Sequence, residues 1–371
     1  MKKTVIGYMG TSAGDWGGAS RSLFVLLKSL DRSRFEPLVL FPAEGPILKT
    51  LDEMGIRYLI WPPHNYKNPI SYLLGIYQSA KLFKRERVDL LHINYGGFWR
   101  MAEVEGARLL GIPVFAHLRI VTEHPGPSFR RCTLAIANSN FTGKASNLGG
   151  VPYEVMHNLV DLDRYDAAVD IRSELGVTPD DIVISFAGQV RRNKGVDLLI
   201  DAAAKISEPR ARFLIVGECR DKTLYPDSYT PESLAADIAH DPRIRYVGYR
   251  GDIQNVYHSS DVVVMPSRWD EPFGLVNIEA GASRRPIVAA AVGGIPEIIV
   301  DGETGFLFER GDAAGFATHL RKLVGDEQLR KRMGEAGRRH VEAHFTAQPV
   351  RHLERIYMRY LRRASNDGQT T

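Results

Sequence analysis

The stretch Asp261-Val262-Val263-Val264-Met265-Pro266, followed by Glu271-Pro272-Phe273-Gly274-Leu275-Val276-Asn277-Ile278-Glu279, decides how the rest of the chain is read. Val262 to Met265 is an unbroken apolar run, the pattern of a strand buried on both faces. From Leu275 the pattern reads as the first turns of a helix, with Gly274 as the turn between. Glu271 then stands on the loop, and Glu279 about one and a half turns into the helix. The amides of Gly274, Leu275 and Val276 point out of the helix N-terminus. Such an end carries unpaired N–H groups and a partial positive charge, and it suits a phosphate.

One carboxylate ahead of a phosphate site and one behind it could hold hydroxyls at the two ends of a sugar–diphosphate–nucleoside. Gly293-Gly294-Ile295-Pro296-Glu297 follows shortly downstream. A plain strand–turn–helix unit with solvated glutamates is the alternative, because carboxylates near helix starts are favoured by the dipole alone. The wider pattern decides between the two.

Short apolar runs alternate with helical patterns along the whole chain. In the first half, residues 4–9, 37–41, 57–61, 88–93, 113–117 and 134–138 read as strands, with amphipathic stretches at 20–30 and 71–87. The pattern restarts with strands at 182–187, 213–216, 244–247, 262–265 and 286–290. Strands alternating with helices give parallel sheets covered on both faces. The expected fold is α/β, with two doubly wound Rossmann-like domains facing a central cleft. The first spans 1–160 and the second 161–348, joined near His157-Asn158-Leu159-Val160-Asp161. A basic amphipathic helix follows at about 349–365, and 366–371 reads as a disordered tail. Ligands of open parallel sheets sit beyond the carboxyl ends of the strands, so residues that follow strands are the ones to weigh.

The composition fits this plan. A length of 371 residues suits two domains, and 44% apolar with 25% charged residues is usual for globular chains. No apolar run approaches the length of a membrane span, and the N-terminus enters a strand without a signal-like apolar region. Cys132 and Cys219 lie far apart and lack metal spacing, which suggests a reducing compartment and no disulfide framework. The net charge of +4 is uneven: residues 1–160 carry 19 Lys and Arg against 12 Asp and Glu, the remainder 29 against 32. A basic first half suits an acidic surface such as phospholipid head groups or a lipid diphosphate; a scattered, solvated surface fits equally. The basic, partly aromatic stretch 71–87 fits a helix resting on a membrane or an ordinary surface helix. Zinc-protease, P-loop and nucleophile-elbow motifs are absent. Asp161-Leu162-Asp163 has the spacing of a metal-binding DxD but no second carboxylate cluster, and no metal site is assigned.

Strand 182–187 runs into Gly188-Gln189-Val190-Arg191-Arg192-Asn193-Lys194-Gly195. Departure of a nucleoside diphosphate needs positive charge close to its phosphates, and this loop can supply it; a solvated basic turn is the alternative. Strand 4–9 opens into a loop ending Gly17-Gly18-Ala19, where backbone without side chains can approach a ligand closely. Glycines at 7, 10, 14, 17 and 18 never take GxGxxG spacing, so a dinucleotide site is set aside. His117 ends strand 113–117 with Arg119 just beyond, and His92 lies on strand 88–93. Gly217-Glu218 and Tyr249-Arg250 follow strands of the second half, and Ser139 reads as a helix N-cap.

The two glutamates, the Gly-Gly-Ile-Pro-Glu run, Lys194-Gly195 and Gly17-Gly18-Ala19 together resemble retaining glycosyltransferase family 4, with its GT-B fold and E-x7-E signature. The resemblance covers nearly the whole chain. It implies sugar transfer from a nucleotide diphosphate sugar (a UDP-sugar first, a GDP- or ADP-sugar as alternatives) to a glycan, lipid-linked or small-molecule hydroxyl. It implies no cofactor and no obligate metal. Glu279 would hold the ribose. Lys194, with Arg191 or Arg192, would hold the diphosphate beside the amides of Gly274, Leu275 and Val276. Gly217 and Tyr249 would surround the nucleotide. Glu271 would bind sugar hydroxyls, Gly17, Gly18 and His117 would line the reacting side, and Arg119 would take an acceptor phosphate or carboxylate. The family usually carries Arg where Gln189 stands, and Pro and Gly where His157 and Leu159 stand. The implied setting is cytoplasmic polysaccharide biosynthesis, with peripheral membrane contact open to the basic first domain and nucleic acid excluded. A sugar phosphorylase, a sugar-nucleotide epimerase or a non-catalytic nucleotide-sugar binder would share the architecture.

Overall fold

The computed structural model describes residues 2–10, 18–65, 67–94 and 100–367. The chain divides into two compact units, Met1–Leu159 with Ala347–Thr371, and Val160–Thr346.

Unit 1 holds a seven-stranded parallel sheet: β1 (Thr4–Met9), β2 (Phe35–Phe41), β3 (Arg57–Ile60), β4 (Leu90–Asn94), β5 (Val114–Leu118), β6 (Leu134–Ala137) and β7 (Tyr153–Val155), in the order β3-β2-β1-β4-β5-β6-β7. Its helices are α1 (Gly18–Ser29), α2 (Ile47–Glu53), α3 (Pro69–Glu86), α4 (Met101–Leu109) and α5 (Asn140–Ala145), with the last helix of the chain, α14 (Ala347–Asp367). Alternate side chains of a strand face opposite ways. Ile6 and Tyr8 accordingly enter one core with Phe35, Phe115, Leu353 and Tyr357, while Val5 and Met9 enter another with Phe83, Val104 and Val114. The register sets Tyr8 beside His92, His92 beside Phe115, and Asn94 beside His117. Local chemistry fixes the helix ends. Asn68 caps α3 by accepting from the Ser71 amide, Pro69 follows it, and Arg87 stops the helix in the left-handed region at φ 56°.

Unit 2 holds a six-stranded parallel sheet: β8 (Ile182–Ala187), β9 (Ala211–Val216), β10 (Ile244–Gly248), β11 (Val262–Met265), β12 (Ile287–Ala290) and β13 (Gly305–Phe308), in the order β10-β9-β8-β11-β12-β13. Its helices are α6 (Leu162–Asp166), α7 (Arg172–Leu175), α8 (Val196–Ala203), α9 (Pro231–Ile238), α10 (Ile253–His258), α11 (Leu275–Ala282), α12 (Ala313–Gly325) and α13 (Glu327–His344). The strand order reverses between β8 and β11, which makes their carboxyl-end loops the switch point where such sheets take ligands. In unit 1 the reversal lies between β1 and β4. Most of the two loops after those strands, Gly17 included, lies outside the described residues.

The strands read from apolar runs are all present, with ends shifted by at most a few residues. Two more exist. β7 and β13 are edge strands of three and four residues, half-buried, and too short to show a periodic signal. The C-terminal helix corrects a second expectation. It continues through Asp367, two residues into the stretch read as a disordered tail, because an anchored helix gains one hydrogen bond for each residue added. Among the described residues, no helix is long and apolar enough to cross a membrane.

Candidate functional site

In unit 2 the loops after β8 and β11 meet at the switch point. Lys194 Nζ lies 2.6 Å from Glu271 Oε1, which also accepts from Ser267 Oγ at 2.9 Å. Two residues read from sequence as binding different parts of a ligand are therefore ion-paired with each other. Glu271 is buried and Lys194 is about one-fifth exposed, with its ammonium 5.4 Å from the Trp269 ring centroid. The surrounding loops are fastened by backbone. The Asn193 carbonyl accepts from the amides of Arg268 and Trp269, and Arg268 pairs with Asp197 at 2.5 Å. Gly195 has φ 79° and packs against the Pro266 carbonyl, where an added Cβ would overlap the oxygen. The glycine next to Lys194 is thus required by conformation and by close approach together.

Glu271 is held from a third side. The Gly294 amide donates to its carbonyl at 2.8 Å, and Gly293, at φ 57°, lies so near the Glu271 backbone that a side chain would not fit. The Gly-Gly-Ile-Pro-Glu run after β12 is, in this structure, the cradle of the Glu271 peptide. Gly274 adopts φ 91° and caps α11; the Asn277 amide donates to its carbonyl at 3.0 Å. The amides of Gly274, Leu275 and Val276 come before that first bond, where a helix has no internal acceptor for them. Glu279 is buried inside α11 and accepts from the Tyr257 hydroxyl of α10 at 3.0 Å.

The other candidates of unit 2 fall around this centre. Arg191 donates to Asp227 at 2.6 Å and to Gln189 Oε1 at 3.2 Å, and lies 4.6 Å from the Tyr225 centroid. Arg192 is more exposed, 3.6 Å from Asp237. Gly217 follows β9 so close to the Gly188 carbonyl that no Cβ could be placed there. Tyr249 is exposed beyond β10. A separate cavity of about 690 Å³ opens at the opposite, amino ends of the strands, near Asp181, Asp261 and Pro286. Its walls mix both charges and several are mutually paired, such as Lys331 with Glu327 and Arg284 with Glu335. The switch-point loops, with their open helix start, suit an anion better.

In unit 1, His117 and Arg119 follow one another on the same side at the end of β5. Both His117 and His92 are fully buried and 3.0 Å apart, Nδ1 to Nε2. Burial first, then the Arg119 charge, pushes His92 down to about 3 and holds His117 well below the usual range, so both rings are neutral. Arg119 donates to Asn94 at 2.9 Å and to Asn158 at 2.5 Å, and burial lowers its own pKa to about 9. Gly18 begins α1. Ser139 caps α5 by accepting from the Thr142 amide. Asp161 lies at the start of α6, and the described residues contain no group of three His, Cys, Asp or Glu able to hold a metal.

Sequence reading missed Ser267, Trp269, Asp227, Tyr257 and Tyr357. None lies in a motif, and most touch their partners only through the fold. Asn193 Oδ1 and Asn277 Oδ1 are buried beside the site with no partner among the described residues. They were not singled out either.

Comparison with known proteins places this geometry in context. Residues 169–340 match the model described as Glycosyl transferases group 1, and residues 16–164 that of Glycosyltransferase Family 4. A D-inositol 3-phosphate glycosyltransferase of Corynebacterium kroppenstedtii is 32% identical over 78% of this chain and 70% of its own. An N-acetyl-alpha-D-glucosaminyl L-malate synthase of Bacillus anthracis is 27% identical over 78% of this chain and 79% of its own. Among solved structures, a glycosyltransferase from Rickettsia africae has a TM-score of 0.84 at 23% identity, covering 97% of this chain and 99% of that one. Anabaena HepE in complex with UDP has a TM-score of 0.78 at 21% identity, covering 96% and 100%.

The close approach at Gly195 gives a direct test. Gly195→Ala combines a left-handed backbone with a clash against Pro266 and should cost about 2–4 kcal/mol. Urea unfolding of this variant beside wild type measures it, and a change within about 0.5 kcal/mol would contradict the described contact.

Proposed function

The chain belongs to glycosyltransferase family 4, with its GT-B fold, and on that footing we propose that it moves a sugar from a nucleotide diphosphate sugar to a hydroxyl acceptor with retention of configuration. The observation that carries the reading is the pairing of Lys194 with Glu271 at the switch point of unit 2, one turn ahead of the α11 amides. Lys194 takes the diphosphate as it leaves, and the charge at position 189 comes from Arg191, whose guanidinium rests on Gln189. The α11 amides add donors, so the positive charge around the leaving group does not depend on a divalent ion. Glu279 holds the ribose, and Gly217 and Tyr249 lie toward the base. Glu271, released from Lys194 when phosphate arrives, binds sugar hydroxyls. Unit 1 handles the acceptor, with Arg119 as its contact, while His117 and Gly18 line the reacting side.

UDP is the first donor to test, because the HepE structure of the same fold was solved with UDP. Two relatives are named for inositol phosphate and malate. An acceptor with a phosphate or carboxylate near its hydroxyl fits a unit in which Arg119 is held only by amide oxygens in its described hydrogen bonds. Glycan and lipid-linked acceptors are the other classes, and cytoplasmic polysaccharide or small-glycoside synthesis is the setting.

Membrane contact belongs to the same reading. On α3, Ile70, Leu73, Leu74 and Tyr77 are 78%, 65%, 50% and 64% exposed at helical spacing. Lys81, Lys84 and Arg85 continue that face and are exposed, with Arg85 paired to Glu86 at 2.8 Å. A face apolar at one end and basic at the other suits an anionic lipid surface.

Two measurements follow. Thermal shifts with UDP, GDP and ADP, with and without magnesium, should single out one nucleotide. At about a hundred times its Kd it adds about 2.7 kcal/mol. Glu279→Ala should abolish that shift and Glu271→Ala should keep it while lowering transfer; equal nucleotide affinity in wild type and Glu279→Ala would contradict the ribose assignment. In cosedimentation, the protein should pellet with vesicles containing phosphatidylglycerol and not with pure phosphatidylcholine, and Leu73→Glu should stay in the supernatant. Failure of wild type to pellet with either would remove α3 as a membrane surface.

A further inference from the structure

Four polar groups form one line through the buried side of unit 1. Tyr8 Oη and Tyr357 Oη are 3.2 Å apart, Tyr357 Oη and His92 Nδ1 2.6 Å, and His92 Nε2 and His117 Nδ1 3.0 Å. All four side chains are fully buried, and they come from β1, α14, β4 and β5. The outer nitrogen, His117 Nε2, is buried with no partner among the described residues.

The hydrogens in this line can be counted. Two phenols and two neutral imidazoles bring one O–H or N–H each, four in all, for three hydrogen bonds. One hydrogen is left over. If the bonds run from His117 toward the phenols, the spare O–H is that of Tyr8, or that of Tyr357 when Tyr8 donates to it. Either phenol lies in an apolar core with Ile6, Phe35 and Phe115. If they run from Tyr8 toward His117, each phenol and His92 donate in turn, and the spare N–H is at His117 Nε2, at the carboxyl end of β5. An unbonded buried donor is costly. A ligand oxygen reaches the second arrangement more readily, because His117 lies level with Asn94, nearer the carboxyl ends of the strands than Tyr8 and His92.

We propose that Tyr357 and His92 are positioning residues that hold His117 as a neutral imidazole with its proton on Nε2. His117 is then a hydrogen-bond donor to a substrate oxygen, and it is not a general base. Arg119, two residues along the same side, supports this arrangement, since its charge opposes a second proton on either ring. It also favours an oxyanion beside Nε2. Calling the ligand a substrate rests on the functional reading above. The position of the proton is a property of the free protein.

The experiment is long-range 1H–15N correlation of the histidine rings in the full chain labelled with 15N-histidine, assigned with His92→Gln and His117→Gln. At neutral pH, wild type should show both rings neutral with Nε2 protonated. Tyr357→Phe removes the hydroxyl that donates to His92 Nδ1, and both rings should lose their single tautomer. Tyr8→Phe leaves that hydroxyl in place and should keep it. In transfer assays, Tyr357→Phe should lower kcat about tenfold with the nucleotide-sugar KM within about twofold, while Tyr8→Phe stays near wild type. A wild-type His117 protonated on Nδ1, or on both nitrogens, overturns the proposal, and that spectrum decides even if Tyr357→Phe does not fold. The expected tautomers in a protein that turns over no nucleotide sugar would uphold the proton placement and count against the functional reading instead.

Discussion

The ion pair between Lys194 and Glu271 is the constraint around which unit 2 is arranged. It joins the loops after β8 and β11, the two strands between which the sheet changes direction. A buried pair adds little net stability, because desolvation opposes the Coulomb attraction. Its effect is on position. The pair holds an ammonium and a carboxylate at one point, and the neighbouring contacts are ones that only particular residues permit. Gly195 allows the approach to Pro266, Gly293 allows the approach to the Glu271 backbone, and Asn193 ties its carbonyl to the amides beyond Ser267. Under the proposed function, a nucleoside diphosphate would meet a cation already in place, beside a helix start with donors to spare.

Unit 1 places its polar groups differently. There the polar line is enclosed, and α14 brings Tyr357 onto a sheet whose strands lie more than 200 residues earlier. Buried polar groups are tolerated when each finds a partner. Within the line, the atom without a partner among the described residues is His117 Nε2, at the end of a strand. Rigid strands and a packed helix carry the line, so the direction of the ring is fixed by the core and not by a loop.

Much of this was legible in the sequence, for identifiable reasons. β8 and β11 are buried on both faces, so apolar runs give their limits directly. β7 and β13 lie at sheet edges and are half-buried, which leaves no run to read. Glu271, Glu279, Lys194 and Gly195 stand out because short-range geometry, a turn, a helix start and a close backbone approach, fixes their spacing. What was not legible is who pairs with whom. Glu271 and Lys194 were assigned to different parts of a ligand, and their contact spans 77 residues. Tyr257 meets Glu279 across 22 residues, and Tyr357 meets His92 across 265. Such contacts depend on the whole fold, and a single sequence has no local signal for them.

The central claim is that Lys194 and Glu271 act as a coupled pair at the switch point, and a double-mutant cycle in stability tests it most directly. Urea unfolding would be measured for wild type, Lys194→Met, Glu271→Gln and the double variant, first free and then with saturating nucleoside diphosphate. Coupling of about 1–3 kcal/mol in the free protein is the predicted result, falling once phosphate takes Lys194. Single effects that add to within about 0.5 kcal/mol in the free protein would contradict the account, because the two side chains would then be neighbours without a functional link.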